Sequence, residues 1–242
     1  GLMSNARCLS EGVDVPALDG VAFVEPRKSQ VDIVQAVGRA IRKAKDKERG
    51  TIIIPVYLAD TDDPETVLDA SKFKPIWDIC KALRAHDDVL AEELDAYRRA
   101  LGREGRKSLR LPDKVVLDLP AWVSAEFAAS IELRIIESAT GAWDFYYGTL
   151  EQYVSEYGDA LVRDKYHYGT VPLGWWVGKQ RLLHRRKLLP KHQIEALALL
   201  NGWSWSPKFD VWKETLLATR AFIVENGRLP RHNETHSGHK IG

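Results

Sequence analysis

The sequence predicts an α/β N-terminal piece, the end of a parallel-sheet domain, followed by an all-α connector and then by small three-helix bundles. Three observations carry that expectation. Short Val- and Ile-rich runs flank a helical period within the first sixty residues. Apolar residues recur at helical spacing through the middle of the chain. A tryptophan-led pattern appears twice near the C-terminus, 69 residues apart.

Composition narrows the class. Of 242 residues, 45% are hydrophobic and 29% charged, which excludes a disordered or collagen-like chain. The formal net charge of +1 hides an asymmetry: residues 141–242 carry 14 basic against 10 acidic side chains, whereas residues 1–140 are net −3. Six of the eight tryptophans lie between Trp143 and Trp212. Two cysteines, Cys8 and Cys80, exclude a disulfide scaffold and favour a reducing compartment, so a cytoplasmic location is expected. No apolar run approaches the ~18–20 residues of a membrane span, and no leader pattern opens the sequence, so no membrane partner is expected.

Ala6–Leu9, Gly20–Val24 and Thr51–Leu58 are short apolar runs of the kind that form buried parallel strands. Between the last two, Ser29–Lys43 places Val31, Val34, Val37 and Ile41 at helical spacing, completing a β-α-β pattern. Ligands on such sheets sit at the C-terminal ends of the strands.

The helix from Ser29 carries candidate site residues. Gln35, Arg39 and Arg42 stand at i, i+4 and i+7 and share a face, with Gly38 beside them. Two guanidiniums on one face suit phosphate oxygens. The same residues also fit a solvated basic helix end complementing the helix dipole. After the first strand, Glu11-Gly12-Val13-Asp14-Val15-Pro16 offers a glycine turn and a carboxylate at the ligand edge, or simply a turn stopped by proline.

Cys8-Leu-Ser-Glu-Gly-Val-Asp-Val-Pro16 followed by Gln35-Ala-Val-Gly-Arg-Ala-Ile-Arg42 resembles motifs V and VI of superfamily-two helicases of the DEAD/DEAH type. The pair in this order, with a strand between, is far more specific than either alone. The resemblance covers residues 1 to about 58 and implies that residues 1–60 are the C-terminal part of a second RecA-like domain. It implies that Arg39 and Arg42 are arginine fingers reaching the ATP γ-phosphate across an interdomain cleft, with Gln35 and Gly38 at the nucleotide site. It implies further that Asp14 links nucleotide and domain position, and that Ser10, Glu11 and Gly12 lie near the nucleic-acid backbone.

A motor also needs a Walker A loop and an acidic motif for magnesium. Neither is in this sequence; Gly102-Arg-Glu-Gly-Arg-Lys-Ser108 has the wrong spacing and reads as a helix end and turn. The expectation is a C-terminal fragment of a longer motor. ATP and Mg2+ would belong to the parent, a missing N-terminal RecA-like domain would be its partner, and the fragment alone would bind no cofactor and hydrolyse no ATP.

Residues 61–140 read as a helical connector. Asp63-Pro64 is a plausible helix start, Pro75 an interruption, and residues 76–101 an apolar-periodic helical run. Arg103–Lys107 is expected to be a loop, Lys114–Leu119 a short strand, and Pro120–Ser138 a helix. Cys80 has no basic partner in the pattern and reads as a core residue.

The C-terminal pattern is W-x9-[YF]-[VI]-x-E-x-G, once from Trp143 through Tyr153, Glu156 and Gly158, and again from Trp212 through Phe222, Glu225 and Gly227. The first copy reads as helices over about 142–157, 173–187 and 190–200, giving a unit at 141–208. A second, cut unit occupies 209–242, with residues after about 227 expected to be disordered. With Leu173-Gly174, Trp176-Val177, Gln180-Arg181 and Trp203/Trp205, this pattern resembles the bacterial helicase-associated domain, and the resemblance implies nucleic-acid binding.

A separate argument from the residues points the same way. Between Lys165 and Ile194 there are seven basic residues and no acid. On a helix over 173–187, Leu173, Trp176, Val177 and Leu183 gather on one side. Trp175, Lys179, Leu182 and Arg186 gather on another, with Arg181 and Arg185 adjacent. An exposed Trp175 beside Lys179 could stack on a base, and Lys179, Arg181, Arg185, Arg186 and Lys187 could neutralise phosphates. Packing against a neighbouring repeat and a solvated basic face account for the same residues. His232, His236 and His239 lack a completing acid or thiol, so no metal is expected. His167, His184 and His192 read as polar surface.

The leading reading is therefore the C-terminal part of an ATP-dependent helicase or translocase acting on nucleic acid, with DNA favoured over RNA and the two not separated by the sequence. The alternatives are a nucleic-acid-binding array without a motor and a helical protein-interaction module.

Overall fold

The computed structural model describes residues 20–23, 35, 37–38, 50–55, 73–105 and 111–242. These are mostly helical, with a small parallel sheet near the N-terminus. The chain divides into two compact units, Gly1–Gly148 and Thr149–Gly242.

In the first unit, strands β1 (Gly20–Ala22) and β2 (Thr51–Ile53) pair in parallel, with Gly20 opposite Thr51 and Ala22 opposite Ile53. Phe23 extends the pairing through its N–H to Ile53 O at 3.0 Å. The ladder is shorter than the apolar runs that predict it. Pro55 has no N–H to donate and stands two residues past the end of β2. The backbone is helical at Gln35, Val37 and Gly38, which lie between the strands as the β-α-β pattern requires. Val37 is fully buried with Phe23, Ile79 and Ala82. The expected strand at Ala6–Leu9, most of the Ser29–Lys43 helix and the start at Asp63-Pro64 lie outside the described residues.

The connector begins with helix α1 (Lys74–His86), Pro75 sitting in its first turn where a missing N–H costs nothing. The apolar run over 76–101 is two helices, not one. Asp87 is extended and caps helix α2 (Asp88–Glu104), its Oδ1 accepting from Leu90 N at 3.0 Å. Lys114 donates to the other oxygen of Asp87 at 2.7 Å, and that bond holds the carboxyl below the usual range. Apolar periodicity alone does not report such a break, because the side chains on either side of it face one core. Helix α2 also runs through Arg103 and Glu104, where a loop is expected, and stops at Gly105, whose φ of 68° few other residues adopt.

Residues 115–119 form no strand. Val115, Leu117 and Leu119 pack against the core while Val116 is 82% exposed, so the alternation records a face, not a ladder. The next helix, α3 (Ala125–Ala139), starts later than Pro120 because Ser124 caps it through Phe127 N at 3.1 Å. Helices α1, α2 and α3 bury Phe73, Leu94, Leu101, Phe127, Ile131 and Ile135 between them. Cys80 belongs to that core, and burial pushes its thiol up to about 12, as expected of an inert core residue.

Helix α4 (Ala142–Tyr157) begins in this unit, and the division between the units falls within it. Trp143 stacks on Tyr147 at 4.7 Å, and the Arg99 guanidinium lies 4.5 Å above the Tyr147 ring. A Cβ at Gly148 would lie 2.0 Å from Arg99 O, so only glycine admits this crossing. Burial, and then the nearby Asp95 carboxylate, raise the Asp144 carboxyl to about 6.

The second unit continues with α5 (Leu173–Arg185), α6 (Lys191–Ala198) and α7 (Pro207–Asn226). Helix α5 ends two residues short of its expected end. Arg186 caps it, and Lys187 turns the chain at a φ of 58°. Leu150, Leu173, Val177 and Leu197 are fully buried. The loop after α4 is tied to the turn after α6: Asn201 Nδ2 donates to Gly158 O at 2.6 Å, and Ala160 N donates to Asn201 O at 2.8 Å.

Residues after 227 are not disordered, contrary to expectation. Gly227, at φ 66°, ends α7, and strands β3 (Thr235–His236) and β4 (His239–Lys240) form an antiparallel hairpin against that helix. This hairpin repeats the loop after α4. Tyr168 pairs with Val171 as His236 pairs with His239. Tyr166 N donates to Arg163 O as Glu234 N donates to Arg231 O. Lys165 and Asn233 both have a φ of 65°.

Candidate nucleic-acid interface

Helix α5 has two faces. Leu173, Trp176, Val177 and Gln180 are buried, as the helical wheel requires for the first three. Trp175 is 59% exposed, and the Lys179 ammonium sits 5.2 Å from its ring centroid. That spacing is i, i+4, one turn along the same side. A shallow hollow of about 420 Å³ opens here, lined by Asp164, Lys165, Gly174, Trp175, Gly178, Lys179 and Leu182.

The two glycines of this hollow differ. A Cβ at Gly174 would lie 2.1 Å from Arg163 O and 2.6 Å from Tyr166 N, so the preceding loop rests directly on the helix backbone. Gly174 N donates to Tyr166 O at 2.9 Å in that contact. A Cβ at Gly178 would meet nothing within 4 Å.

Charge collects around the hollow and at the helix end. Lys165, Lys179, Arg185, Arg186 and Lys187 are exposed, and among the described residues none of them is in an ion pair with a carboxylate. Unpaired, exposed cations of this kind are free to exchange counterions for phosphates.

Arg181 is different from its neighbours. Its Nε donates to Ser204 O at 2.9 Å, its guanidinium lies 5.3 Å from the Trp203 centroid, and burial lowers its basicity. His184 stacks on Trp205 at 3.9 Å, and Trp203 meets Trp205 edge to face. His184 is therefore packed against a ring, not simply surface. Arg181 and His184 stand three apart on one helix, aligned with tryptophans two apart in the segment after α6. Spacing could have suggested that match; only the turn after α6 makes it.

The tyrosine cluster was not visible in the sequence. Tyr153 lies within 6.5 Å of Tyr157, Tyr166 and Tyr168, and Tyr168 donates to Glu156 Oε2 at 2.7 Å. The signal was the Tyr153 and Glu156 positions of the repeated pattern.

At the other expected site, Gln35 and Gly38 are helical, and Gln35 Oε1 is buried with no hydrogen-bond partner among the described residues. A Cβ at Gly38 would meet nothing within 4 Å. An orphaned acceptor beside bare backbone fits the edge of a nucleotide, as a partner for a hydroxyl or amino donor and not for a phosphate oxygen. Ser10, Glu11, Gly12, Asp14, Arg39 and Arg42 lie outside the described residues. Among the described residues no group of three or more His, Cys, Asp or Glu could hold a metal, and no helix is long and apolar enough to cross a membrane. His236 instead faces Phe222, with Glu225 at 3.7 Å.

Helices α4, α5 and α6, the second of them bearing Trp175 and Trp176, make up a small helical module. Residues 140–206 match the helicase associated domain family, and the chain carries that domain. Over an alignment of 270 residues the whole chain is 24% identical to a protein named "Probable helicase" from African swine fever virus (a Malawi tick isolate), of which it spans 29%. Over 93 residues, 38% of this chain and 10% of the relative, identity to the protein of that name from a Kenyan pig isolate is 34%. Among solved structures, an ATP-dependent Type ISP restriction-modification enzyme, LlaBIII, bound to DNA, is similar at a TM-score of 0.42 and 24% identity, covering 94% of this chain and 15% of that one. The protein is helicase-related, and it spans less than a third of the length of the curated relatives it matches along its whole length.

Proposed function

We propose that this chain is the C-terminal portion of an ATP-dependent nucleic-acid helicase or translocase, with DNA as the favoured track. The observation that carries the reading is one of order. A parallel β-α-β piece bearing the Gln35–Arg42 pattern precedes the helicase associated domain in a single chain. In the parent, Gln35, Gly38, Arg39, Arg42 and Asp14 would hold ATP against the other RecA-like domain. Bound there, ATP would supply the phosphoryl group whose transfer drives the motor, and Mg2+ would offset its charge. The guanidiniums of Arg39 and Arg42 would balance the charge developing on that group, and Ser10, Glu11 and Gly12 would lie along the strand being moved. The module at 141–208 and its partial copy at 209–242 hold the track, through Trp175, Lys179, Arg185, Arg186 and Lys187. Arg181, engaged with Ser204 and Trp203, supports that surface from behind. A cytoplasmic location accords with the two cysteines.

A second reading, a protein-docking array, draws on the exposed Phe209, Val211 and Trp212 of α7. Titration of the 242-residue chain against labelled DNA and RNA at several salt concentrations separates the two. Affinity that falls steeply with salt, the slope shrinking in Lys179→Glu/Arg186→Glu, is expected of the first. No binding at low salt would leave the second. In the full-length parent, Arg42→Ala is expected to abolish ATP turnover while ATP affinity changes far less, and unchanged turnover would sink the arginine-finger assignment.

A further inference from the structure

We infer that the hollow on α5 is a base-stacking subsite, so that the module takes single-stranded nucleic acid, one unpaired base lying on Trp175. The inference rests on the nucleic-acid reading above and sharpens it to a strand class.

Trp175 is the first argument. Its neighbours Leu173, Gly174, Trp176 and Val177 are all buried, yet Trp175 is 59% exposed. Lys179 fixes the ring by lying over it at 5.2 Å and leaves stacking area uncovered. A rigid, exposed indole is a platform for any base, since every base has a π-face.

Gly178 is the second. Glycine inside a helix is less favourable than alanine and calls for a reason. Gly174 has one, the Arg163 carbonyl pressed against it. Gly178 has none within the protein, since a Cβ there would meet open space. It lies three residues from Trp175, along the same hollow. A side chain at Gly178 would project into the volume that a stacked base would occupy.

Charge is the third. Lys165 and Lys179 edge the hollow and offer two cations to the phosphates on either side of the base. Asp164, also on the edge, repels phosphate and can accept from an exocyclic amine of a base. The lining between is almost wholly apolar, which suits a base and not a phosphate. In a duplex the base faces are occupied by neighbouring bases, so only an unpaired strand can present one here.

The test uses the whole 242-residue chain and fluorescein-labelled oligothymidylate, oligouridylate, an abasic strand of the same length and a duplex, followed by anisotropy. The single strands are expected to bind more tightly than the duplex, and the abasic strand about tenfold more weakly than oligothymidylate. Trp175→Ala should lose a similar factor on oligothymidylate and nothing on the abasic strand, while Trp175→Phe restores most of it. Gly178→Leu, a substitution that favours the helix, should also lose binding. The two normal single strands distinguish a DNA from an RNA track. Salt-dependent binding that is equal for abasic and normal strands, or indifferent to both Trp175→Ala and Gly178→Leu, overturns the subsite and leaves the nucleic-acid reading standing. Absence of binding to every probe at low salt overturns both.

Discussion

The loop after α4 and the hairpin after α7 reach one backbone course with different side chains. In the first, Tyr168 donates to Glu156, and Tyr153 meets Tyr168 edge to face. In the second, His236 stands 3.7 Å from Glu225, and Phe222 meets His236 edge to face. The closing residues agree as well. A Cβ at Gly174 would lie 2.1 Å from Arg163 O, and one at Gly242 would lie 1.8 Å from Arg231 O. Turn positions 165 and 233 share a left-handed φ, and so do Gly169 and Ser237. What repeats is therefore backbone contact and one acid–ring pairing; polarity, size and charge are free to vary around them. Of the shared pattern W-x9-[YF]-[VI]-x-E-x-G, the [YF] and E positions supply the acid–ring pairing, and the last glycine ends the helix in a left-handed turn in both copies.

Gly174→Ala should break the first copy most severely. The methyl group meets backbone on two sides, Arg163 O and Tyr166 N, and backbone cannot rotate away as a side chain can. A loss of about 3 kcal/mol, at the upper end for overpacking, is expected in denaturant melts followed by near-UV circular dichroism of the tryptophans. Gly242→Ala makes the same collision with Arg231 O and should loosen the hairpin after α7 in the same direction. No loss in Gly174→Ala would mean that the shared backbone contact does not govern the loop.

The second effect separates the copies by charge. Asp144 near the start of α4 aligns with Lys213 of α7, 69 residues on. Asp144 is partly buried beside Asp95, and burial foremost raises its carboxyl from an ordinary 3.8 to about 6. The folded chain thus binds more protons than the unfolded one across that window. The contribution of Asp144 to stability is greatest at the acid end and falls as pH rises through about 6. Thermal melts of Asp144→Asn between about pH 4 and pH 7 should lose this slope and gain stability at the neutral end. A slope unchanged by the substitution would assign it to another carboxylate.

Much of this was legible beforehand, and the reasons differ by element. Helix α4 has the expected bounds because glycine and a left-handed turn at Gly158 end it locally. The β1–β2 pair and Val37 were legible because a β-α-β pattern has essentially one way to close. The break at Asp87 was hidden, because it rests on a cap and on Lys114, 27 residues away in sequence. The false strand at 114–119 arose because period two reports a buried face and is silent about a hydrogen-bonded partner. At the candidate interface, the Trp175–Lys179 pairing follows from helical spacing, whereas the exposure of Trp175, which spacing left open against packing on a neighbouring repeat, is set by the structure. The diversion of Arg181 to Trp203 and of His184 to Trp205 depends on where the turn after α6 returns, which no local pattern specifies.

The smallest effect is the most specific to the second copy. Where the first loop sets Tyr166 against Tyr157, hydroxyl to hydroxyl at 3.3 Å, the second sets Glu234 against Arg228. The guanidinium takes both carboxylate oxygens, at 2.6 and 2.9 Å, and Arg231 N adds a third bond at 2.7 Å. Those bonds, Arg228 first, hold the Glu234 carboxyl at about 2. A depressed carboxylate contributes stability that is complete above its unfolded value and lost as pH falls toward about 2. The pair is exposed, so solvent and salt screen it and the global melt should barely move in Arg228→Ala. The local readout should move. The Glu234 carboxylate resonance should titrate near 2 in the parent chain and return toward the ordinary range in the variant. Amide exchange across Thr235–Lys240 should accelerate, while exchange across Tyr166–Val171 stays as it was. If both loops loosen together, the copies are mechanically coupled; if neither does, the backbone contacts at Gly242 and Arg231 suffice without the ion pair.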